Sequence, residues 1–213
     1  MKISTSILNA ENKIKSILEL NNTKTSYIHI DVMDGKFVTD TKFNTIKEIS
    51  DINTNAKRKL DIHLMVENPI EYINKLDNMN IEYVTFHIEV EKNIKEIISK
   101  IKSMGYKAGI SIKPNTNINK LVPYLKDIDL LLIMSVEPGK GGQAFLPNTI
   151  ERIKEIKNLI IKNNYNIKVE VDGGINEKTI TKLENVDIAV VGSYITKSDN
   201  YNARIDTLLE KSI

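Results

Sequence analysis

Three histidines and a few carboxylates carry most of the chemistry open to this chain. The histidines are His29, His63 and His87, and all three fall inside or at the end of β-branched runs that read as strands. His29 and Asp31 stand two apart in Tyr27-Ile28-His29-Ile30-Asp31-Val32-Met33-Asp34-Gly35. Asp61 and His63 repeat that spacing in Leu60-Asp61-Ile62-His63-Leu64-Met65-Val66. Residues two apart on a strand point to the same face. A third run, Val169-Glu170-Val171-Asp172-Gly173-Gly174, ends in an aspartate followed by two glycines. If these runs are parallel strands of a barrel, their carboxyl ends open on one rim and His29, Asp31, His63 and Asp172 can meet there. Two imidazoles and two carboxylates suit a divalent first-row cation. Any one of them alone reads first as a buried or capping polar group. Four on three strand ends point to a site.

Glycine-rich turns follow other runs. Met134-Ser135-Val136-Glu137-Pro138-Gly139-Lys140-Gly141-Gly142-Gln143 follows one, Gly173-Gly174 another, and Gly192-Ser193 ends the last. Glycine lets backbone N–H groups come close to a phosphate, so three such turns on adjacent strand ends suggest a phosphorylated substrate. Met33, Met65 and Met134 also sit at strand ends, where they either fill the core or form an apolar collar that excludes water around the carboxylates.

The elements that must position these groups are legible as alternation. Strands are expected at 3–8, 27–32, 59–65, 83–87, 107–112, 128–135, 168–172 and 188–192. Between them lie helical spacings such as Ile14, Ile17, Leu18 and Ile94, Ile97, Ile98, Ile101. Asn68-Pro69-Ile70-Glu71 reads as a helix start, with Asn as cap, and Asn148 with Glu151 gives a similar signal. Strand–helix alternation predicts an α/β protein with a parallel sheet. An open doubly wound sheet would alternate in the same way. The polar residues gathered at strand ends favour a closed (β/α)8 TIM barrel forming one domain over 1–213.

Composition narrows the field. The chain has 213 residues, 41% of them hydrophobic and 27% charged, with a formal net charge of +2. That balance gives no strong field for nucleic acid or an anionic membrane. There is no cysteine, which excludes disulfides, thiolate nucleophiles and cysteine-based zinc sites. No apolar run is long enough to span a bilayer and the start has no signal-peptide pattern, so a cytoplasmic location is expected.

The long motifs resemble ribulose-phosphate 3-epimerases. They are His29 to Val38, Asp61 to Pro69, Glu137 to Phe145 and Glu170 to Ile175, and the resemblance runs from Ser6 to Ser193. It implies a barrel of the ribulose-phosphate-binding type, with one divalent ion (zinc, iron, manganese or cobalt) held by His29, Asp31, His63 and Asp172. Asp31 and Asp172 would be the acid/base pair. Ser6, His63, Gly139, Lys140, Gly141, Gly142, Gly173, Gly174, Gly192 and Ser193 would form the substrate and phosphate shell. His87 matches a motif histidine with no step assigned. Thr5 and Lys140 depart from the family's usual Pro and Phe, and the stretch after Val38 departs too. A homo-oligomer is compatible with the resemblance, although no stretch marks an interface.

The implied reaction is epimerisation at C3 of a ketose phosphate in the pentose phosphate pathway. One carboxylate removes the proton, the other returns one on the opposite face, and a divalent ion stabilises the enediolate between them. A ketohexose 6-phosphate such as allulose 6-phosphate is the nearest alternative substrate. A non-catalytic sugar-phosphate binder is the alternative of another class.

Overall fold

A computed structural model describes residues 1–90 and 92–212. The expected domain span also takes in Glu91 and Ile213, which lie outside the described residues. The β-branched runs form β1 (Lys2–Ser6), β2 (Tyr27–Asp34), β4 (Lys59–Met65), β5 (Ile81–His87), β6 (Lys107–Ile112), β7 (Leu130–Met134), β8 (Lys168–Asp172) and β9 (Ile188–Val191). All are parallel to their neighbours, and β1 pairs with both β2 and β9, which closes the barrel. The short β3 (Thr41–Lys42) lies antiparallel against Met33 and Asp34. Its pairing carries β2 two residues beyond the expected end at 32.

Other strand ends shifted as well. The stretch 3–8 stops at Ser6, where the chain turns and Ala10 N–H donates to the Ile7 carbonyl. The stretch 188–192 stops at Val191 because Gly192 caps the next helix. The stretch 128–135 contracts to Leu130–Met134, and β5 begins earlier than expected, at Ile81.

The crossovers carry α1 (Lys13–Leu20), α2 (Ile46–Asn55), α3 (Pro69–Ile73), α4 (Ile94–Ser103), α5 (Thr149–Lys162), α6 (Ser193–Thr196) and α7 (Tyr201–Lys211). Between β6 and β7 only 3-10 turns occur, Ile118–Leu121 and Leu125–Asp127. Pro114 and Pro123 each lack an N–H and so cannot continue an α-helical hydrogen-bond ladder, although Val122 before Pro123 is itself helical. In α4 the four spaced isoleucines are all buried. In α1 Ile17 is buried but Leu18 is 51% exposed, and Leu20 takes the inner position.

Alternation along each strand gives two different faces. Ile28, Ile30 and Val32 join the large apolar layer under the helices, whereas Tyr27, His29, Asp31 and Met33 occupy the other face, toward the barrel interior. Tyr27, Tyr83, Leu130 and Ile188 form their own cluster at the strands' amino ends, with the two tyrosine rings edge to face at 5.7 Å. The barrel is thus plugged with apolar groups at one end and polar at the other. No helix among the described residues is long and apolar enough to cross a membrane.

Candidate active site

A cavity of about 770 Å³ opens at the carboxyl ends of the strands. Its wall includes Ser6, Asp31 and Asp172, the methionines Met33, Met65 and Met134, and the glycines 139, 141, 142, 173, 174 and 192 with Lys140 and Ser193. All three methionines line this cavity and are exposed by 2% or less. His29 and His63 are wholly buried beneath this wall, and neither lines it.

Register brings the four polar groups together. Asp31 on β2 lies beside His63 on β4, and His29 lies beside Asp61. His29 Nε2 and His63 Nδ1 each stand 3.4 Å from Asp31 Oδ1. Asp172 Oδ2 is 4.0 Å from the first nitrogen and 3.8 Å from the second. Neither nitrogen has a hydrogen-bond partner, although both are buried. Two orphaned ring nitrogens aimed at two carboxylates would be costly without a further ligand. Ligand bonds of roughly 2.1 Å in a tetrahedral site imply donor separations of about 3.4 Å. The four donors therefore fit a divalent cation, and all lie within 4.8 Å of one another.

The supporting contacts are specific. Ser6 Oγ donates to Asp31 Oδ2 at 2.8 Å. Asp61 Oδ2 lies 2.8 Å from His29 Nδ1 and accepts from Ser4 Oγ at 2.7 Å. A proton on Nδ1, donated to Asp61, leaves Nε2 as the free lone pair. Glu170, fully buried, joins His29 and Asp61 in a second acidic cluster below the first. His63 Nε2 lies 2.9 Å from His87 Nε2, and His87 Nδ1 lies 3.1 Å from Glu89 Oε2. Ser4, Asp61, Glu89 and Glu170 were not singled out as site residues from sequence. The i,i+2 spacing of Asp61 and Glu170 from His63 and Asp172 was the available signal.

Electrostatics separates the two candidate acid/base groups. Burial would raise the Asp31 pKa, but His29 and His63 outweigh it and hold the carboxyl well below its usual range. Burial and then the Asp31 charge push Asp172 up to about 6. Burial opposes a charged His29, yet without a cation Asp61 and Asp31 raise its pKa well above the ordinary value, so cation binding must displace the Nε2 proton. Burial, reinforced by Asp61, raises Glu170 far above a normal carboxyl. Burial lowers His87 to about 4 against the pull of Glu89.

The rim is built from tight backbone. Gly139, Gly142, Gly173 and Gly174 all have positive φ. A Cβ on Gly174 would lie 2.4 Å from the Phe145 backbone nitrogen, and one on Gly141 would strike the Asn9 side chain at 2.1 Å. Asn9, a wall residue not anticipated from sequence, donates from Nδ2 to Ser193 Oγ at 3.1 Å. Lys140 is exposed on the same wall. Thr5 points away from the barrel interior, its hydroxyl 2.7 Å from that of Thr25. Asp34 accepts from the Lys36, Phe37 and Glu67 backbone N–H groups, and the departing stretch after Val38 is held by Gly35 N–H donating to the Asp40 carbonyl and by Thr41 and Lys42 pairing with Asp34 and Met33.

Fold and site together define a (β/α)8-barrel enzyme with a donor set at its mouth able to hold a cation. Comparison with known proteins narrows this class. The family model described as Ribulose-phosphate 3 epimerase family matches residues 2–196. A Helicobacter pylori protein named Ribulose-phosphate 3-epimerase is 34% identical over 212 residues, covering 98% of this chain and 96% of the relative. A protein of that name from Methanocaldococcus jannaschii is 33% identical, covering 100% and 92%. The chain belongs to the ribulose-phosphate 3-epimerase family. Among solved structures, 3-hexulose-6-phosphate synthase from Salmonella typhimurium superposes with a TM-score of 0.64 at 15% identity, covering 99% of this chain and 98% of that one. A Mycobacterium tuberculosis tryptophan synthase chain gives 0.71 at 11% identity, covering 99% and 91%. At such identities these two matches bear on the fold alone.

Proposed function

We propose that the chain interconverts D-ribulose 5-phosphate and D-xylulose 5-phosphate, as one catalytic barrel domain spanning 1–213. The observation that carries this reading is the meeting of Asp31, Asp172, His29 and His63 at one mouth, in a chain whose relatives are named for that epimerisation. Asp31 and Asp172 stand on β2 and β8, with β1 and β9 between them, so they approach the mouth from separate sides. A sugar lying between them presents opposite faces of C3 to the two carboxyls.

In one direction Asp31 removes the C3 proton and Asp172 supplies one on the other face. In reverse the roles exchange. Ser6 fixes Asp31 through its hydroxyl bond. Met33, Met65 and Met134 keep water from the carboxyls and strengthen the local field. His29, Asp31, His63 and Asp172 would hold a divalent ion, which would supply Lewis-acid stabilisation of the negative charge that develops on the sugar. Zinc, iron, manganese and cobalt all suit that donor set. Gly139, Gly141, Gly142, Gly173, Gly174, Gly192 and Ser193 form the phosphate cradle, and Lys140 adds a positive charge at its edge. The reading places the enzyme in the cytoplasm, in the pentose phosphate pathway, as a homo-oligomer in keeping with the resemblance.

The test is conversion of ribulose 5-phosphate after chelator treatment and after restoring each metal, with allulose 6-phosphate assayed beside it. We expect metal-restored turnover on the pentose and slower turnover on the hexose. Preference for the hexose would move the substrate by one carbon. Binding without turnover of either sugar would overturn the enzymatic reading.

A further inference from the structure

His63 can serve as a cation ligand only if its Nδ1 carries a lone pair and its proton sits on Nε2. On the Nδ1 side Asp31 Oδ1 stands 3.4 Å away without forming a hydrogen bond, so a proton held there would have only that long contact to set it. The Nε2 side enforces the choice. His63 Nε2 and His87 Nε2 are 2.9 Å apart, with ring centres 5.0 Å apart and planes tilted by 29°. That separation of centres, with two nitrogens so close, means the rings meet edge to edge, as an N–H···N bond requires. One of the two nitrogens must donate.

Glu89 decides which. Its Oε2 lies 3.1 Å from His87 Nδ1, and its Oε1 accepts from the Lys113 backbone N–H at 2.8 Å. The loop carrying Lys113 is tied in turn by Arg152, which donates to the Lys113 and Thr116 carbonyls. A carboxylate accepts only, so it draws the proton of His87 to Nδ1 and leaves Nε2 as acceptor. Phe37 packs on His87 with ring centres 4.8 Å apart and blocks rotation of the imidazole.

We infer that Glu89 and His87 are positioning residues, forming a relay that fixes the tautomer of His63 and presents its Nδ1 lone pair to the cation site. The inference rests on the reading of His63 as a cation ligand. It assigns a role to His87 and recruits a glutamate from outside the mouth. The competing arrangement is a His87 protonated on both nitrogens, donating to His63 Nε2. His63 would then carry its proton on Nδ1 and could not ligate.

The chain has three histidines, so nitrogen-15 NMR of the labelled, metal-free protein can resolve the relevant rings. The relay predicts His63 protonated on Nε2 and His87 on Nδ1. His63 protonated on Nδ1, or His87 on both nitrogens, overturns it. This measurement uses neither substrate nor turnover, so failure of the proposed epimerisation is a separate result. A second arm measures zinc affinity by competition with a chelator, with circular dichroism to confirm the fold. His87→Phe keeps a ring against Phe37 but removes the acceptor, and is expected to weaken zinc binding by about 10–100-fold. His87→Gln restores an acceptor and is expected to recover part of that loss. Equal loss in both variants, or no loss in His87→Phe, would reduce His87 to a packing residue.

Discussion

Asp31 and Asp172 are the same side chain in opposite surroundings. Imidazoles flank Asp31 and keep it ionised, whereas burial and a neighbouring carboxylate raise Asp172 to about 6. A folded pKa above the unfolded 3.8 means that Asp172 favours the fold when protonated, and that this contribution is lost as pH rises through about 6. The metal-free Asp172→Asn variant is therefore expected to be more stable than the parent near pH 8, by at most about 3 kcal/mol, and to lose that advantage below about pH 4. Urea unfolding at the two pH values checks this, and equal stability at both would contradict it. His29, Asp31, His63 and Asp172 were legible in the sequence because strand alternation alone puts His29 and Asp31 on one face. Glu89 was not legible, since its role depends on a loop after β6 reaching across to hold it.

Between residue and barrel, the strands at 59–65, 107–112 and 168–172 were readable to the residue, whereas one or both ends of the others were not. Pairing partners set the ends, and those partners are remote in sequence, as with β3 extending β2. Helix starts were half readable. Asn68 and Asn148 do occupy cap positions, but neither side chain makes a capping hydrogen bond. The full capping box lies at Thr45, whose hydroxyl accepts from Glu48 N–H while the Glu48 carboxylate accepts from the Thr45 backbone N–H. No apolar run marks that start, because α2 buries only Ile49 and Ile52. Thr45→Ala is expected to cost about 1 kcal/mol, seen as a lower midpoint in thermal or urea unfolding with activity unchanged. An unaltered midpoint would mean that packing alone holds α2.

At the scale of the whole molecule, closure was the open question, since a doubly wound sheet alternates as a barrel does. The pairing of β1 with both β2 and β9 answers it, and closure is what brings β8 round to face β2. The polar mouth over an apolar plug then gives the site its direction. The rim rests on neighbouring strands, because β7 and β8 pair directly and Gly174 after β8 packs against Phe145 from the loop after β7. Gly174→Ala would need φ near +64° and a Cβ 2.4 Å from a backbone nitrogen, so the loop must shift. We expect a raised KM for the phosphorylated sugar and lower stability, with metal affinity unchanged. An unchanged KM would remove this loop from the phosphate cradle. The most direct test of the two-carboxylate claim is to run the reaction in heavy water with the parent, Asp31→Asn and Asp172→Asn, matched for bound metal. The account predicts deuterium at C3 of the product for the parent and a loss of epimerisation of about 10²–10⁴-fold in each variant. Near-parental conversion by either variant at equal metal content would contradict it.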